Sequence, residues 1–366
     1  MPAPVPHAEP PPGPTGRRGV VLAAPDAYKG TADATVLSAA IAAGAEEEGW
    51  AADRCPLSDG GEGFADVLAA ARPGGSWHTT PVTGPLGAPV EARWWMADDE
   101  AVVESAAASG LPLAGGAEGN DPLRATTRGT GELVMAARRA GARRVLLGVG
   151  GSATTDGGRG AVEAIEEAGG LGDTEVVVAC DVRVRFLAAA RAFGPQKGAD
   201  ASQVVELERR LESYADRLRE RYGVDVLDLA GAGAAGGLGG GLAALGARLV
   251  PGFEVVAGAV GLERRLAEAD VVVTGEGRLD ATSWDGKVVG AVVEAAARLG
   301  VAVLVVVGST GPGGIDGARQ AAASVSWVDL SARHGRARAQ ADPAQCMREA
   351  VAEALRSLPS PGRAGS

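Results

Sequence analysis

The sequence predicts an α/β fold of two domains with parallel sheets, and three observations carry that prediction. Short β-branched runs alternate with Ala-rich helical stretches along most of the chain, and repeated strand–loop–helix order builds parallel sheets through right-handed crossovers. The strand runs are continuously apolar instead of alternating, as expected where both faces of a sheet are covered. The chain has 366 residues, 56 of them glycine, and aromatics at only 4%. That length favours two cores over one, and the small residues let strands, helices and ligand phosphates approach closely.

In chain order, residues 1–17 hold seven prolines and little that could pack, so a disordered tail with polyproline II bias is expected there. GVVLAAP (19–25) reads as the first strand. The helix over 31–48 starts on a Thr/Asp capping signal and stops at Gly49. A helix over 130–141 leads into a strand at 143–149, a second helix after Asp156 and a strand at 174–180. Residues 201–222 form a charged amphipathic helix whose Val204, Leu207, Leu211, Tyr214 and Leu218 share one packing stripe. Strands at 269–275 and 301–308 flank a helix at 287–300. Residues 359–366 read as a second flexible tail.

The net charge is −11, from 35 basic and 46 acidic side chains, which argues against a nucleic-acid or anionic-membrane partner. Cys55, Cys180 and Cys346, like His7, His78 and His334, are too scattered for a disulfide framework or a zinc site. No apolar run approaches the roughly 18–20 residues of a membrane span, and the N-terminus lacks the apolar region of a signal peptide. A cytoplasmic monomer or homodimer is the expectation.

Polar, Gly-rich segments sit at the ends of the apolar strands, where open α/β sheets bind ligands. In APDAYKGT (24–31), Asp26 and Lys29 precede a helix N-terminus, a placement suited to an anion; a solvated surface turn is the plainer alternative. In PLSDGGEGF (56–64), Asp59 and Glu62 on a glycine frame could hold Mg²⁺ together with substrate phosphates, although Asp-Gly also suits a simple tight turn. GVGGSATTDGGRG (148–160) offers the backbone of Gly150 and Gly151 and the hydroxyls of Ser152, Thr154 and Thr155 as a phosphate cradle, with Asp156 at the N-cap. Asp181 ends another strand, and Lys197 lies in FGPQKGA (193–199). VVVTGEGRLD (271–280) supplies Glu276, Arg278 and Asp280, and Lys287 opens the next helix. Acids to hold a metal, cations to neutralise phosphate and glycines to admit it are what phosphoryl transfer requires.

GAGAAG (231–236) matches the dinucleotide fingerprint literally. Pro251-Gly252 interrupts the approach to the acidic residue that should confirm it, and no hydride-transfer constellation accompanies it. An NAD(P)-dependent oxidoreductase is therefore the third reading, although Gly233 could still lend a backbone donor to a nucleotide or substrate. No GxxxxGK[ST] occurs, which excludes a P-loop kinase.

Taken in order from about residue 20 to about 308, these segments resemble the bacterial type I glycerate kinase family. TGPLGAPVEA (83–92), VVESAAASGLPL (102–113) and DPLRATTRGTGEL (121–133) belong to the same series. The resemblance implies phosphorylation of D-glycerate, or of a closely related small hydroxy acid, by ATP with Mg²⁺, typically at the 2-hydroxyl. It also implies two α/β domains with the site between them. The first would be Rossmann-like and discontinuous (18–80 with 265–358), the second formed by 81–264. The family pattern departs at Ala27 and Tyr28, where Ser and Phe are usual, and at Thr155, where Asn is usual. Arg183-Val184-Arg185 also replaces its Asn-Pro-Leu loop.

On this reading Lys29 and Arg278 neutralise transferring or carboxylate charge. Asp59, Glu62 or Glu276 holds Mg²⁺, and Asp181 or Asp280 orients or deprotonates the attacking hydroxyl. Asp26, Lys197 and Lys287 contact nucleotide or substrate beside the 150–156 cradle. The altered loop after Asp181 motivates a different class of function, a catalytically silent paralogue that binds nucleotide or hydroxy acid.

Overall fold

The computed structural model describes residues 18–181, 183–284, 286–316 and 325–358; both expected tails lie outside the described residues. The strands are β1 (Val20–Ala23), β2 (Ala51–Arg54), β3 (Ser76–Thr83), β4 (Pro89–Ala97), β5 (Glu100–Glu104), β6 (Arg144–Gly148) and β7 (Glu175–Ala179). They continue with β8 (Arg248–Val250), β9 (Val271–Thr274), β10 (Arg278–Leu279), β11 (Ala302–Val307), β12 (Ser309–Thr310) and β13 (Val325–Asp329). One five-stranded sheet has the order β13-β11-β9-β1-β2 and is parallel throughout. A six-stranded sheet runs β3-β4-β5-β6-β7-β8, parallel from β5 to β8. A short parallel pair, β10 with β12, stands beside them.

The continuous apolar runs sort into two buried faces, as the period of two in a strand requires. In β1 and β11, Val21, Ala23, Leu304 and Val306 pack under the helices Ala34–Glu47 and Pro343–Arg356. Their neighbours Leu22, Val303, Val305 and Val307 face the other way. That second layer also takes Val102, Leu146, Val177 and Ala179 from the six-stranded sheet, so one apolar cluster joins the two sheets. It is built through Phe64 and Leu68 of helix Phe64–Ala71 and Val256 of helix Gly252–Val260. The outer face of the larger sheet, with Val145, Leu147, Val176 and Val178, lies under helices Arg128–Arg139 and Arg159–Glu167.

Helix Ala201–Tyr222 is fixed at both ends. Asp200 and Gln203 form a capping box, and Gly223 closes the helix in the left-handed region at φ 71°. Leu207, Leu211, Tyr214 and Leu218 of its stripe are buried, and Val204 packs partly buried against the same cluster.

The larger sheet differs from expectation at one edge, where β3, β4 and β5 are antiparallel. β4 alternates, with Ala92 and Trp94 buried and Glu91 and Arg93 exposed, so no continuous apolar run announces the hairpin. β3 is an outer strand with Pro81 in it and Trp77 41% exposed, and an edge is where a strand tolerates proline.

Candidate active site

The ends of β1, β9 and β11 converge on a cleft of about 800 Å³. β1 continues into the loop 24–31, whose path is held by the Ala24 amide on Val273 O at 2.8 Å and the Asp26 amide on Gly275 O at 2.9 Å. Tyr28 is buried, and its hydroxyl donates to Val306 O at 2.9 Å. The phenol at this departure from the family pattern thus finds a buried acceptor. Lys29, next in sequence, is left exposed at the cleft.

Asp26, Lys29, Glu276, Arg278, Asp280 and Lys287 all line this cleft, as expected from their positions at strand ends. Asp26 is 5% exposed and accepts from the Ala27 amide at 2.8 Å. Burial first, then the charge of Asp59, raises its carboxyl well above the usual range. Burial likewise raises Glu276, and one of its buried carboxylate oxygens has no hydrogen-bond partner. Asp280 behaves oppositely: the Thr282 hydroxyl, donating at 2.7 Å, holds it below the ordinary value. Lys287 is the N-cap residue of helix Val288–Leu299 and donates to Thr282 Oγ1 at 2.9 Å.

Asp59 connects this cleft to the second sheet. Its Oδ2 lies 3.4 Å from Lys29 Nζ, and its Oδ1 accepts from the Gly61 amide at 3.0 Å. Lys29 is accordingly raised, chiefly by the Asp59 charge. The turn carrying Asp59 is wedged onto the end of β7. Gly60 has φ +88°, and a Cβ there would stand 2.6 Å from Ala179 O. Only glycine satisfies both conditions. Asp181, just past β7, accepts from the Phe253 amide at 3.3 and 3.4 Å. Burial and then the Asp59 charge raise it to about 7. Glu62 is exposed and lines a separate shallow depression with Gly30, Thr31 and Asp33. Asp59, Glu62 and Glu276 therefore do not form a ready-made cage. Among the described residues no group of three potential metal-ligating side chains meets.

The Gly-rich loop 148–158 is placed differently from the cleft residues. Gly150, Gly151, Ser152, Thr154 and Asp156 do not line the cleft, though Gly150 abuts Gly61 and its amide points to Gly60 O at 3.4 Å. Asp156 is an internal anchor. Its oxygens accept from the Thr127 amide and hydroxyl, both at 2.9 Å, and from the Gly158 and Gly160 amides, both at 3.1 Å. Lys197 is 3% exposed, with Nζ donating to Ser152 Oγ at 2.9 Å and Thr154 O at 2.6 Å. Burial lowers its ammonium to about 7. Lys197 therefore ties the 193–199 loop to the Gly-rich loop, and its neighbour Gln196 is the residue that reaches the cleft.

GAGAAG is not a strand-to-helix turn, because no strand precedes it. Gly233 spends its amide on Val184 O at 2.9 Å and so has no donor left for a phosphate. Gly236, at φ +70°, lies where a Cβ would come 2.0 Å from Thr154 O. These glycines serve close packing against the Gly-rich loop, and the dinucleotide reading loses its structural basis. Arg185, one of the two arginines after Asp181, pairs with Asp228 at 3.6 Å.

Three contributors escaped the sequence reading. Ser331 and Arg336 line the cleft from the C-terminal segment. Asn120 joins two loops by donating to Ala153 O at 3.0 Å and Lys197 O at 2.8 Å. The available signal for Arg336 was a basic residue opening a short helix after Gly335, where the helix dipole disfavours it.

No helix among the described residues is long and apolar enough to cross a membrane. A profile of the glycerate kinase family matches residues 21–170 and 166–358. Glycerate 2-kinase of Escherichia coli K12 is 40% identical over 325 residues, covering 79% of this chain and 85% of that protein. Glycerate kinase of Bacillus subtilis 168 is 39% identical over 79% of this chain and 85% of its own length. A crystal structure assigned as glycerate kinase 2 from Salmonella typhimurium LT2 superposes with a TM-score of 0.73 at 33% identity, covering 92% of this chain and 97% of that one. A cation- and carboxylate-lined cleft at the ends of β1, β9 and β11, together with likeness over most of the chain, places this protein in the glycerate kinase family, among the phosphotransferases that use an alcohol group as acceptor.

Proposed function

We propose that the chain transfers the γ-phosphoryl group of ATP to the 2-hydroxyl of D-glycerate, giving 2-phosphoglycerate and ADP. The observation that carries this reading is the cleft, where exposed Lys29, Arg278 and Arg336 line the same space as buried Asp26 and half-buried Glu276. The Escherichia coli relative's name, glycerate 2-kinase, supports the position phosphorylated. The lobes are taken as 18–80 with 265–358, and 81–264.

Asp181 is assigned the hydroxyl proton. A carboxylate raised to about 7 suits a base working near neutral pH, whereas Asp280 is held low by Thr282 and serves to orient. The hydroxyl oxygen forms the new P–O bond as the bond to the ADP oxygen breaks, and the proton passes to Asp181. Lys29, Arg278 and Lys287 balance the charge on phosphate and carboxylate oxygens, the dominant contribution in such reactions.

Asp59 and Glu276 are the residues we assign to Mg²⁺; the unpartnered buried oxygen of Glu276 fits a cation. Held there, Mg²⁺ would supply neutralisation of phosphate charge.

The test is ³¹P NMR of the protein with Mg²⁺-ATP and D-glycerate. A phosphomonoester doublet supports transfer to the 2-hydroxyl, and a triplet assigns the 3-hydroxyl instead. ATP binding without a new phosphomonoester refutes the glycerate reading and favours a silent paralogue. Lys29→Ala should lower turnover by about 10²-fold or more with the melting temperature retained; near-normal turnover removes Lys29 from the site.

A further inference from the structure

A second cavity, of about 420 Å³, opens between helix Ala201–Tyr222, the segment 122–126 and the start of helix Arg159–Glu167. It shares no lining residue with the cleft. Five guanidinium groups line it, those of Arg124, Arg159, Arg209, Arg210 and Arg217. In a chain of net charge −11, this is a local concentration of the opposite sign.

The acids nearby cancel it only in part. Glu163 pairs with Arg159 at 2.6 Å, and Glu206 with Arg209 and Arg210 at 2.8 and 2.7 Å. Asp156 is occupied by its four internal donors. Arg124 and Arg217 make no ion pair among the described residues; Arg217 lies over the Tyr214 ring at 5.3 Å. A separate observation points the same way. Thr155 lines the cavity at 1% exposure, and its buried hydroxyl has no hydrogen-bond partner. An unpartnered buried hydroxyl is costly unless something supplies its bond.

We propose that this cavity binds a small phosphorylated anion, with Arg124 and Arg217 as its charge partners and the Thr155 hydroxyl as a further contact. Guanidinium forks match phosphate oxygens in pairs, and the volume lies toward the small end of ligand pockets.

The experiment is calorimetric titration with pyrophosphate of the full chain carrying Lys29→Ala and Lys287→Ala, which weaken anion binding in the cleft. One equivalent should still bind. Adding Arg124→Ala and Arg217→Ala should weaken that binding by about tenfold or more, as loss of paired guanidinium contacts implies. Both arginines are exposed, so a matching thermal melt will show the fold retained. Thr155→Val, equal in shape, should weaken binding by about three- to tenfold, the worth of one hydrogen bond. Absence of binding in the Lys29/Lys287 background overturns the proposal, as does binding that ignores removal of the arginines. Binding of citrate with none of pyrophosphate overturns the phosphate assignment.

Discussion

Glu104 offers a direct measure of how the two sheets are coupled. It closes β5 in the larger sheet, and its carboxylate accepts the Ala65 amide at 2.8 Å, in the first turn of the helix that follows the Asp59 turn. Burial raises this carboxyl from the ordinary 4.5 to about 7, against the lowering effect of the Ala65 amide. Between those pH values the folded protein keeps a proton that the unfolded chain has released. Stability contributed by the protonated group is therefore full below about 4.5 and declines as pH rises to about 7. A change of that size corresponds to about 3 kcal/mol. Glu104→Gln keeps the acceptor for Ala65 and carries no charge at any pH. The variant should match wild type at about pH 4 and exceed it by up to about 3 kcal/mol at about pH 8.5. Urea denaturation of both proteins across that range gives the difference directly. If the two curves run parallel, the raised carboxyl is not a property of the folded state and the reasoning fails.

Gly60→Ala should cost about 3 kcal/mol through its positive φ and the approach to Ala179 O, and it should displace Asp59; melting and turnover measured together test this, and a normal melt excludes the wedge. Asp181 must be ionised to accept a proton, so kcat/KM should fall below about pH 7. Asp181→Asn should lose about 10²–10⁴-fold in turnover, the usual worth of a general base, together with that acidic limb. A limb that survives in the variant assigns the titration to another group. For Lys197 the depressed ammonium makes wild-type stability rise between about 7 and the ordinary 10.5. Lys197→Met should remove this rise and leave Ser152 and Thr154 short of a donor, so its deficit should widen with pH in a denaturation series.

What was legible in the sequence follows a physical division. β9 and β11 are runs of valine that serve both faces, and such runs have few alternatives to a buried parallel strand. The β3–β4 hairpin offered no continuous apolar run because it buries Val82, Ala92 and Trp94 on one face and leaves Glu91 and Arg93 exposed on the other. Within the site, Asp26, Lys29, Glu276, Arg278 and Lys287 were legible because charge at the end of a buried strand requires a reason. For Asp156 and Lys197 the same residue types in the same kind of loop have a different reason: internal partners. Those partners lie far off in sequence, Thr127 being 29 residues from Asp156 and Ser152 being 45 from Lys197. A local reading sees the charge but not the donor or acceptor that already satisfies it. The distinction has a consequence for function. Charges that remain exposed at the cleft can answer a substrate, whereas Asp156 and Lys197 hold the Gly-rich loop that flanks it. Changes at Lys29 should therefore reach turnover first and stability little, and changes at Lys197 should reach stability first. A Lys197 variant that loses turnover with unchanged stability would return that residue to the substrate.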